Sequence, residues 1–259
     1  MIIVIPMAGL SRRFTEAGYL TPKYMLKCGG ISIFRHAIFS FKALFGTVHF
    51  LFVYREIQDT GRFIEDECIA MGLTDFSRIR IDVPTRGQAE TVAIALRQVR
   101  ADANEPVLIF NIDTIRPGYR LPSIAAVADG YLEVFLGEGD SWSFVAPAEG
   151  FEHRVALTTE KRRVSNLCST GLYYFRRCED FLFAFDEELV CGPADANEFY
   201  VAPLFNQLIS RGLDIRYEII DAGEVYFSGV PQEYEALCAQ AERYIAASKV
   251  DLLGESGSL

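Results

Sequence analysis

Two arginines and a lysine near the start of the chain have the side chains and the spacing to bind phosphate. Arg12 and Arg13 lie in the segment MAGLSRRF, directly after an apolar run, and Lys23 follows ten residues after Arg13 in GYLTPKYMLK. Guanidinium groups donate two parallel hydrogen bonds to phosphate, and a lysine adds a second point charge. The small residues Ala8 and Gly9 let backbone N–H groups approach an anion, and Gly9 can adopt the positive φ of an anion-binding nest. These residues therefore indicate a phosphate site.

Polar residues after a later strand and before a later helix are candidates for the same site. The apolar run PVLIFNIDT ends in Asn111 and Asp113, which strand alternation points to one side, at the edge that also holds the first loop. Gly87 and Gln88 open the helix in PTRGQAETVAIAL, where free N–H groups favour acceptors and the glutamine can pair with a base edge. Without further context, a turn for Asp113 and a helix cap for Gly87 and Gln88 are the commoner roles.

The elements that position these residues alternate between strand and helix. The pattern predicts helices over 31–45 and 60–71. It predicts strands at 2–5, 48–54, 78–83 and 106–113, and then at 132–136, 143–147 and 154–158, where they need not be parallel neighbours. This order predicts an α/β fold, a mainly parallel mixed sheet with helices on both faces.

Composition excludes several classes of protein. The chain has 259 residues, half of them hydrophobic, and a net charge of −10, which argues against binding nucleic acid through a basic face. Six scattered cysteines and three histidines make a zinc site or a disulfide framework improbable. No apolar run is long enough to span a membrane and no leader sequence is visible, so we expect a cytoplasmic protein without membrane contact. Whether it forms a homo-oligomer is open.

The two N-terminal segments together, IPMAGLSRRF and GYLTPKYML, resemble the signature of the nucleotidyltransferases. The resemblance is to the sugar-phosphate nucleotidylyltransferases or pyrophosphorylases, in the capsule and surface-polysaccharide branch that includes cytidylyltransferases. It implies a Rossmann-related, glycosyltransferase-A-like fold and a transfer from a nucleoside triphosphate to a phosphorylated small molecule. The implied roles are catalysis for Arg13, Lys23 and Asp113, Mg²⁺ binding for Asp113, and nucleotide binding for Ala8, Gly9, Ser11, Arg12, Gly87 and Gln88.

The resemblance continues into the second half of the chain, where it implies the acceptor site. The segment EKRRVSNLCSTGLYYF is similar to the family's glutamate-lysine turn and following strand, which makes Lys161, Thr170 and Gly171 acceptor-binding residues. Glu198, in NEFYVAPLF, is expected to contact the acceptor or a metal. The alternatives are a solvated basic turn around Lys161 and a simple helix cap for Glu198.

Two positions depart from the family pattern. Ser11 replaces a glycine, which costs roughly 1 kcal/mol if that residue has a positive φ. Phe227 replaces a second metal-binding aspartate. Either another carboxylate such as Glu198 completes the metal shell, or the ion relies on Asp113, phosphate and water, or catalysis is lost.

The sequence therefore predicts one domain over residues 1–251, with a nucleotide-binding half at 1–130, an acceptor-binding half at 131–251 and a flexible tail at 252–259. In the reaction that the resemblance implies, an acceptor phosphate attacks the α-phosphorus and pyrophosphate leaves. Two alternatives are open at this point. One is a glycosyltransferase of the same fold with a metal at Asp113, and the other is a non-catalytic nucleotide-binding relative.

Overall fold

The computed structural model describes residues 1–192 and 198–240. The helices within these ranges are α1 Arg12–Glu16, α2 Ile33–Phe39, α3 Thr60–Met71, α4 Gln88–Gln98, α5 Cys178–Cys191, α6 Phe205–Ser210 and α7 Pro231–Ala239. The strands are β1 Ile2–Met7, β2 Lys27–Cys28, β3 Ile31–Ser32, β4 His49–Tyr54, β5 Phe76–Arg80, β6 Val107–Phe110, β7 Thr114–Ile115, β8 Gly130–Leu136, β9 Ser143–Pro147, β10 Val155–Glu160, β11 Leu167–Phe175, β12 Ile215–Ile220 and β13 Tyr226–Phe227.

Nine of these strands form one mixed sheet. Its order is β10-β9-β11-β6-β1-β4-β5, and β8 pairs with both β11 and β12. The segment β6-β1-β4-β5 is parallel, whereas β11 runs antiparallel to β6, β8 and β9. The predicted mainly parallel mixed sheet is confirmed, and the strands from residue 132 onward, which need not have been parallel neighbours, include the antiparallel pairs β8–β11 and β9–β10.

Alternate residues of β1 face two separate hydrophobic cores. Ile2 and Val4 pack in one core with residues of α4 and α5, whereas Ile3 and Ile5 pack in another with residues of α2 and α3. All four side chains are buried. A strand that is covered on both faces needs an unbroken apolar run, which explains the sequence IIVI.

The parallel strands bring three loops to one edge of the sheet. β1, β4 and β6 lie side by side and run in the same direction. Their carboxyl ends therefore release the segments 8–11, 55–59 and 111–113 at the same edge, where open α/β sheets bind ligands. This edge contains most of the residues for which the sequence suggests chemistry.

Several element boundaries differ from the predictions, and two of these differences have a clear physical reason. α2 ends at Phe39 instead of residue 45, because the Ser40 carbonyl accepts from the N–H of Tyr119 and the Ser40 hydroxyl from the N–H of Arg116. β5 covers 76–80 instead of 78–83, because its partner β4 ends at Tyr54, opposite Arg80.

The chain's last predicted features fall partly outside the described residues. α7 is present from Pro231 to Ala239. The sequence predicts a longer helix, with an apolar stripe that continues at Ala241, Tyr244 and Ile245. These residues and the tail at 252–259 lie outside the described ranges. None of the helices within these ranges combines the length and the apolar character needed to cross a membrane.

Candidate functional site

The loops at the carboxyl edge of the sheet enclose a cavity of about 500 Å³, which we call the first cavity. Segments 6–12, 84–88 and 111–113 contribute most of its wall. Every residue that the sequence suggested for nucleotide binding lines it, together with Lys23 and Asp113: Ala8, Gly9, Ser11, Arg12, Gly87 and Gln88. The structure thus brings together three segments that are separated by up to a hundred residues.

The loop after β1 turns at Ser11. Ser11 has φ 50° and ψ 34°, in the left-handed region, whereas Gly9 does not have a positive φ. The expectation of a positive φ at Gly9 is therefore wrong, and the strained position is the one that carries the serine. This conformation costs a residue other than glycine roughly 1 kcal/mol. The turn at Ser11 begins α1 at Arg12.

Arg12 and Arg13 line different cavities. Both lie in the first turn of α1, where successive side chains point about 100° apart. Arg12 lines the first cavity, whereas Arg13 lines a neighbouring cavity of about 270 Å³, which we call the second cavity. Arg13, to which the resemblance gave a catalytic role, thus lies on the opposite side of the loop from Arg12.

Lys23 and Asp113 form an ion pair between the two cavities. Lys23 Nζ lies 2.5 Å from Asp113 Oδ2, and both side chains are 21% exposed. Pro22, with φ −51°, precedes a 3₁₀ turn that begins at Lys23. The Asp113 carbonyl accepts hydrogen bonds from Ser228 N at 2.8 Å and from Ser228 Oγ at 3.0 Å. Asp113 lines both cavities, so this pair marks their boundary.

The start of α4 is fixed by a second segment of chain. Phe199 N donates to the Arg86 carbonyl at 2.7 Å, and Ala89 N donates to the Phe199 carbonyl at 2.9 Å. Gly87 has φ 136°, and a Cβ there would lie 2.5 Å from the Phe199 carbonyl oxygen. Glycine at position 87 therefore allows the two backbones to touch.

Gln88 and Asn111 both line the first cavity and are joined by a hydrogen bond. Gln88 Nε2 donates to Asn111 Oδ1 at 2.5 Å. Gly171, with φ 88°, makes room for Asn111, because a Cβ at position 171 would lie 2.4 Å from Asn111 Nδ2. β6 ends at Phe110, so Asn111 and Asp113 share the cavity through the turn after the strand and not through strand alternation.

The second cavity lies between β9, β11 and the segment 227–233. Thr170 and Gly171 line it, as the resemblance suggested. The Thr170 hydroxyl, however, donates to Glu133 Oε1 at 3.1 Å. Burial, with the nearby charge of Glu160 as the next cause, raises the pKa of Tyr173 to about 12. The phenol therefore stays neutral near neutral pH.

Lys161 and Glu198 lie elsewhere than the sequence suggested. Lys161 Nζ donates to Tyr200 Oη at 2.6 Å, and Lys161 lines neither cavity. Glu198 lines the first cavity and not the second, because the pairing of Phe199 with the start of α4 holds it beside Gly87. Burial raises the pKa of Tyr200; the hydrogen bond from Lys161 opposes this shift, and the nearby Glu198 carboxylate adds to it.

Phe227 packs against other aromatic rings, and a different carboxylate approaches Asp113. The Phe227 ring centroid lies 4.7 Å from that of Trp142 and 5.4 Å from that of Phe135. A Cβ on Gly229 would lie 3.0 Å from Asp113 Oδ2 and 3.4 Å from Glu233 Oε2, so the two carboxylates flank that glycine. Burial, with the Asp113 charge as a further cause, raises the pKa of Glu233.

Sequence reasoning missed Arg55, Trp142 and Glu233. Arg55 follows β4 at the same edge of the sheet as the loop after β1. Its position directly after an apolar strand could therefore have indicated that it belongs to the site. Trp142 is the only tryptophan of the chain, but its environment depends on the antiparallel strands. Glu233 Oε2 accepts from Gly229 N at 2.8 Å and Val230 N at 3.2 Å, which makes it look like an ordinary helix cap.

The two cavities differ in the charge of their walls. Arg12, Lys23 and Arg55 outnumber the carboxylates of Asp113 and Glu198 in the first cavity. In the second cavity, Arg13 stands against the carboxylates Asp113, Glu160 and Glu233. The first cavity is therefore better suited to a polyanion than the second.

Comparison with solved structures identifies the fold. A nucleoside-diphosphate-sugar pyrophosphorylase from Vibrio cholerae RC9 is 45% identical to the chain, with a TM-score of 0.87, and the match covers 92% of this chain and 100% of that one. An inositol-1-phosphate CTP transferase from T. maritima matches with a TM-score of 0.68 at 12% identity, over 93% of this chain and 96% of that one.

A third solved structure, a UDP-glucose pyrophosphorylase complexed with UDP-glucose, matches with a TM-score of 0.72 at 16% identity, over 95% and 98% of the two chains. The matches below 25% identity bear on the fold alone. No protein-family model and no curated protein sequence matches the chain. The identity and full-length coverage of the Vibrio cholerae protein, with the confirmed fold, show that the chain belongs to the sugar-phosphate nucleotidylyltransferase family and is a nucleotidyltransferase.

Proposed function

We propose that the first cavity binds a nucleoside triphosphate and the second a phosphorylated small molecule. An oxygen of the acceptor phosphate attacks the α-phosphorus, and pyrophosphate leaves. The observation that supports this arrangement most strongly is that Asp113 lines both cavities, so two substrates bound there would meet at one carboxylate. The excess of cationic groups in the first cavity assigns the triphosphate to it.

The residues act through alignment and charge neutralisation. Arg12, Lys23 and Arg55 pair with triphosphate oxygens, and Arg13 pairs with the acceptor phosphate. A phosphate oxygen is already a competent nucleophile at neutral pH, so the transfer needs no histidine or cysteine as a base. Holding the two phosphates in line while neutralising their charge supplies the rate enhancement.

Asp113 and Glu233 suit a magnesium ion. Because glycine has no side chain, Gly229 leaves a gap that the carboxylates of Asp113 and Glu233 border. In residues 1–192 and 198–240, no three His, Cys, Asp or Glu side chains form a metal-binding group. Magnesium commonly binds one or two carboxylates together with substrate phosphates and water, so two are sufficient. The ion would neutralise phosphate charge during the transfer.

The cellular role is also part of the proposal. The segments PKYML, STGLYYF and EFYVAP resemble those of the capsule and surface-polysaccharide branch, which favours a product used in building such a polymer. The six cysteines are unpaired thiols, which suits the reducing cytoplasm, where nucleoside triphosphates are available. Deletion of the gene in the native host should remove the surface polymer, and an unchanged polymer would contradict this role.

Pyrophosphate release tests the proposed reaction. The protein is incubated with CTP, UTP or dTTP, magnesium and one of a panel of phosphorylated acceptors. Release that requires both a triphosphate and an acceptor supports nucleotidyl transfer, and the triphosphate that reacts fastest identifies the base. Absence of release in every combination would contradict the proposed function.

A further inference from the structure

One wall of the second cavity is aromatic. The Trp142 and Phe227 rings both line it, with centroids 4.7 Å apart, and Phe135 packs behind them at 5.2 Å from Trp142 and 5.4 Å from Phe227. The Trp142 indole N–H is engaged with the Glu138 carbonyl at 2.9 Å, which fixes the ring. Packed aromatic side chains thus form part of the wall of the second cavity.

The remaining wall of the second cavity carries more negative than positive groups. Two carboxylates, from Glu160 and Glu233, line it against the single guanidinium of Arg13, and the third, Asp113, is paired with Lys23. Glu160 is buried, with 8% of its surface exposed, so its field is weakly screened. Lys161, which the sequence suggested for the acceptor phosphate, instead contacts Tyr200.

We infer that the phosphorylated acceptor of this enzyme also carries a cationic group, such as an ammonium, which binds between the aromatic wall and the carboxylates of the second cavity. This inference rests on the proposed function, because it places the acceptor in that cavity. Ring faces and carboxylates both attract a cation, and they do so more strongly away from water. The acceptor phosphate then lies near Arg13 and Asp113, at the boundary with the first cavity.

The charge balance distinguishes this acceptor from a neutral sugar phosphate. A phosphate monoester with two negative charges and a neutral remainder would meet Glu160 and Glu233 with no compensating charge of its own. An ammonium on the same molecule reduces the net negative charge of the acceptor. It also pairs with the carboxylates of Glu160 and Glu233, which would otherwise repel the phosphate. The aromatic residue at position 227, where the family commonly has an aspartate, adds a further surface for the cation.

Matched acceptors test the inference. Phosphocholine and 3,3-dimethylbutyl phosphate have the same shape and differ in the charge of one atom, and glucosamine 1-phosphate and glucose 1-phosphate differ in one amino group. We take the pair whose members react faster. For that pair, we expect kcat/KM, measured by pyrophosphate release, to be at least about tenfold higher for the cationic member. Binding of phosphocholine and of its neutral counterpart, measured by calorimetry with a non-hydrolysable triphosphate analogue present, should show the same preference.

The outcomes separate the inference from the proposed function. Equal or tighter binding of 3,3-dimethylbutyl phosphate, or equal turnover of the two members of each pair, would overturn the inference while leaving nucleotidyl transfer intact. A preference for phosphocholine in binding, with no pyrophosphate release from any acceptor, would count against the proposed function alone.

A pair of variants at Phe227 locates the preference. Phe227→Leu removes the π face and keeps an apolar side chain, whereas Phe227→Tyr keeps the face and serves as the matched control. We expect Phe227→Leu to lower the preference for the cationic member about tenfold, with an unchanged KM for the triphosphate, and Phe227→Tyr to retain it. A purely structural role would weaken both members of a pair equally, and this result would also overturn the inference.

Discussion

The side-chain nitrogen of Lys23 and Oδ2 of Asp113 lie 2.5 Å apart, and among the described residues Asp113 is one of two, with Asn111, that line both cavities. The lysine offsets a carboxylate that would otherwise repel a triphosphate. At the same time, the aspartate holds the lysine at the cavity boundary. Under the proposed function, a triphosphate in the first cavity would therefore approach a carboxylate whose charge Lys23 already offsets.

Lys23→Ala should lower the turnover rate by about 100-fold or more while leaving the fold stable. The variant removes a cation next to the phosphates and leaves the Asp113 charge without compensation. Turnover and the unfolding midpoint should be measured together. Lys27→Ala, at an exposed lysine of β2, is the matched control and should behave as the native protein does. Near-normal turnover of Lys23→Ala would show that Lys23 is not a catalytic residue.

Arg12→Ala and Arg13→Ala should affect different substrates. Because Arg12 lines the first cavity and Arg13 the second, we expect the former to raise KM for the triphosphate and the latter to raise KM for the acceptor, each by about tenfold. Arg62→Ala, at an exposed position of α3, controls for the loss of a surface charge. If both variants raised the same KM, the assignment of the two cavities would be wrong.

Glu233→Gln and Glu198→Gln should differ in their magnesium dependence. Glu233 borders the gap beside Asp113, whereas Glu198 lies beside Gly87. We expect Glu233→Gln to require about tenfold more magnesium for half-maximal activity, since the amide keeps the shape and loses the charge. Glu198→Gln should keep the native requirement and change only KM for the triphosphate. The opposite result would restore the original expectation that Glu198 is the second carboxylate.

Gly171→Ala should disturb the site more than a comparable glycine substitution elsewhere. Gly171 has φ 88° and faces Asn111, whereas Gly150 has φ 75° and open space around its Cα. Gly150→Ala should cost roughly 1 kcal/mol of the free energy of unfolding. Gly171→Ala should cost about 1–3 kcal/mol more, because Asn111 must move. It should also raise KM for the triphosphate, through the lost bond from Gln88.

Equal effects of the two alanine substitutions on the free energy of unfolding would contradict the close packing of Gly171 against Asn111. Urea titration with the same slope for all three proteins makes the comparison valid.

The parts of the fold and site that were predictable are those encoded by local sequence. β1, its loop and α3 follow from apolar runs, and the structure has α3 at the predicted residues 60–71. Gly87 and Gln88 lie at a helix start as expected. These features depend on neighbours in the chain, so their residues alone are informative.

The second cavity could not be predicted because its walls come from distant segments. Trp142 and Phe227 meet only after β9 and the segment around β13 have folded against β8 and β11. Glu198 was misplaced because nothing in its own sequence shows that Phe199 pairs with residues 86–89. The sequence predicted an acceptor-binding half, and long-range packing determines which of its side chains line the second cavity.

The most direct test of the account is the magnesium dependence of pyrophosphate release in Asp113→Asn. Asp113 lines both cavities and the proposed metal gap, so replacing its carboxylate by an amide should leave the unfolding midpoint near that of the native protein and reduce turnover by about 100-fold or more. A chelator should abolish the native activity. Full turnover of Asp113→Asn at ordinary magnesium concentration would contradict the account.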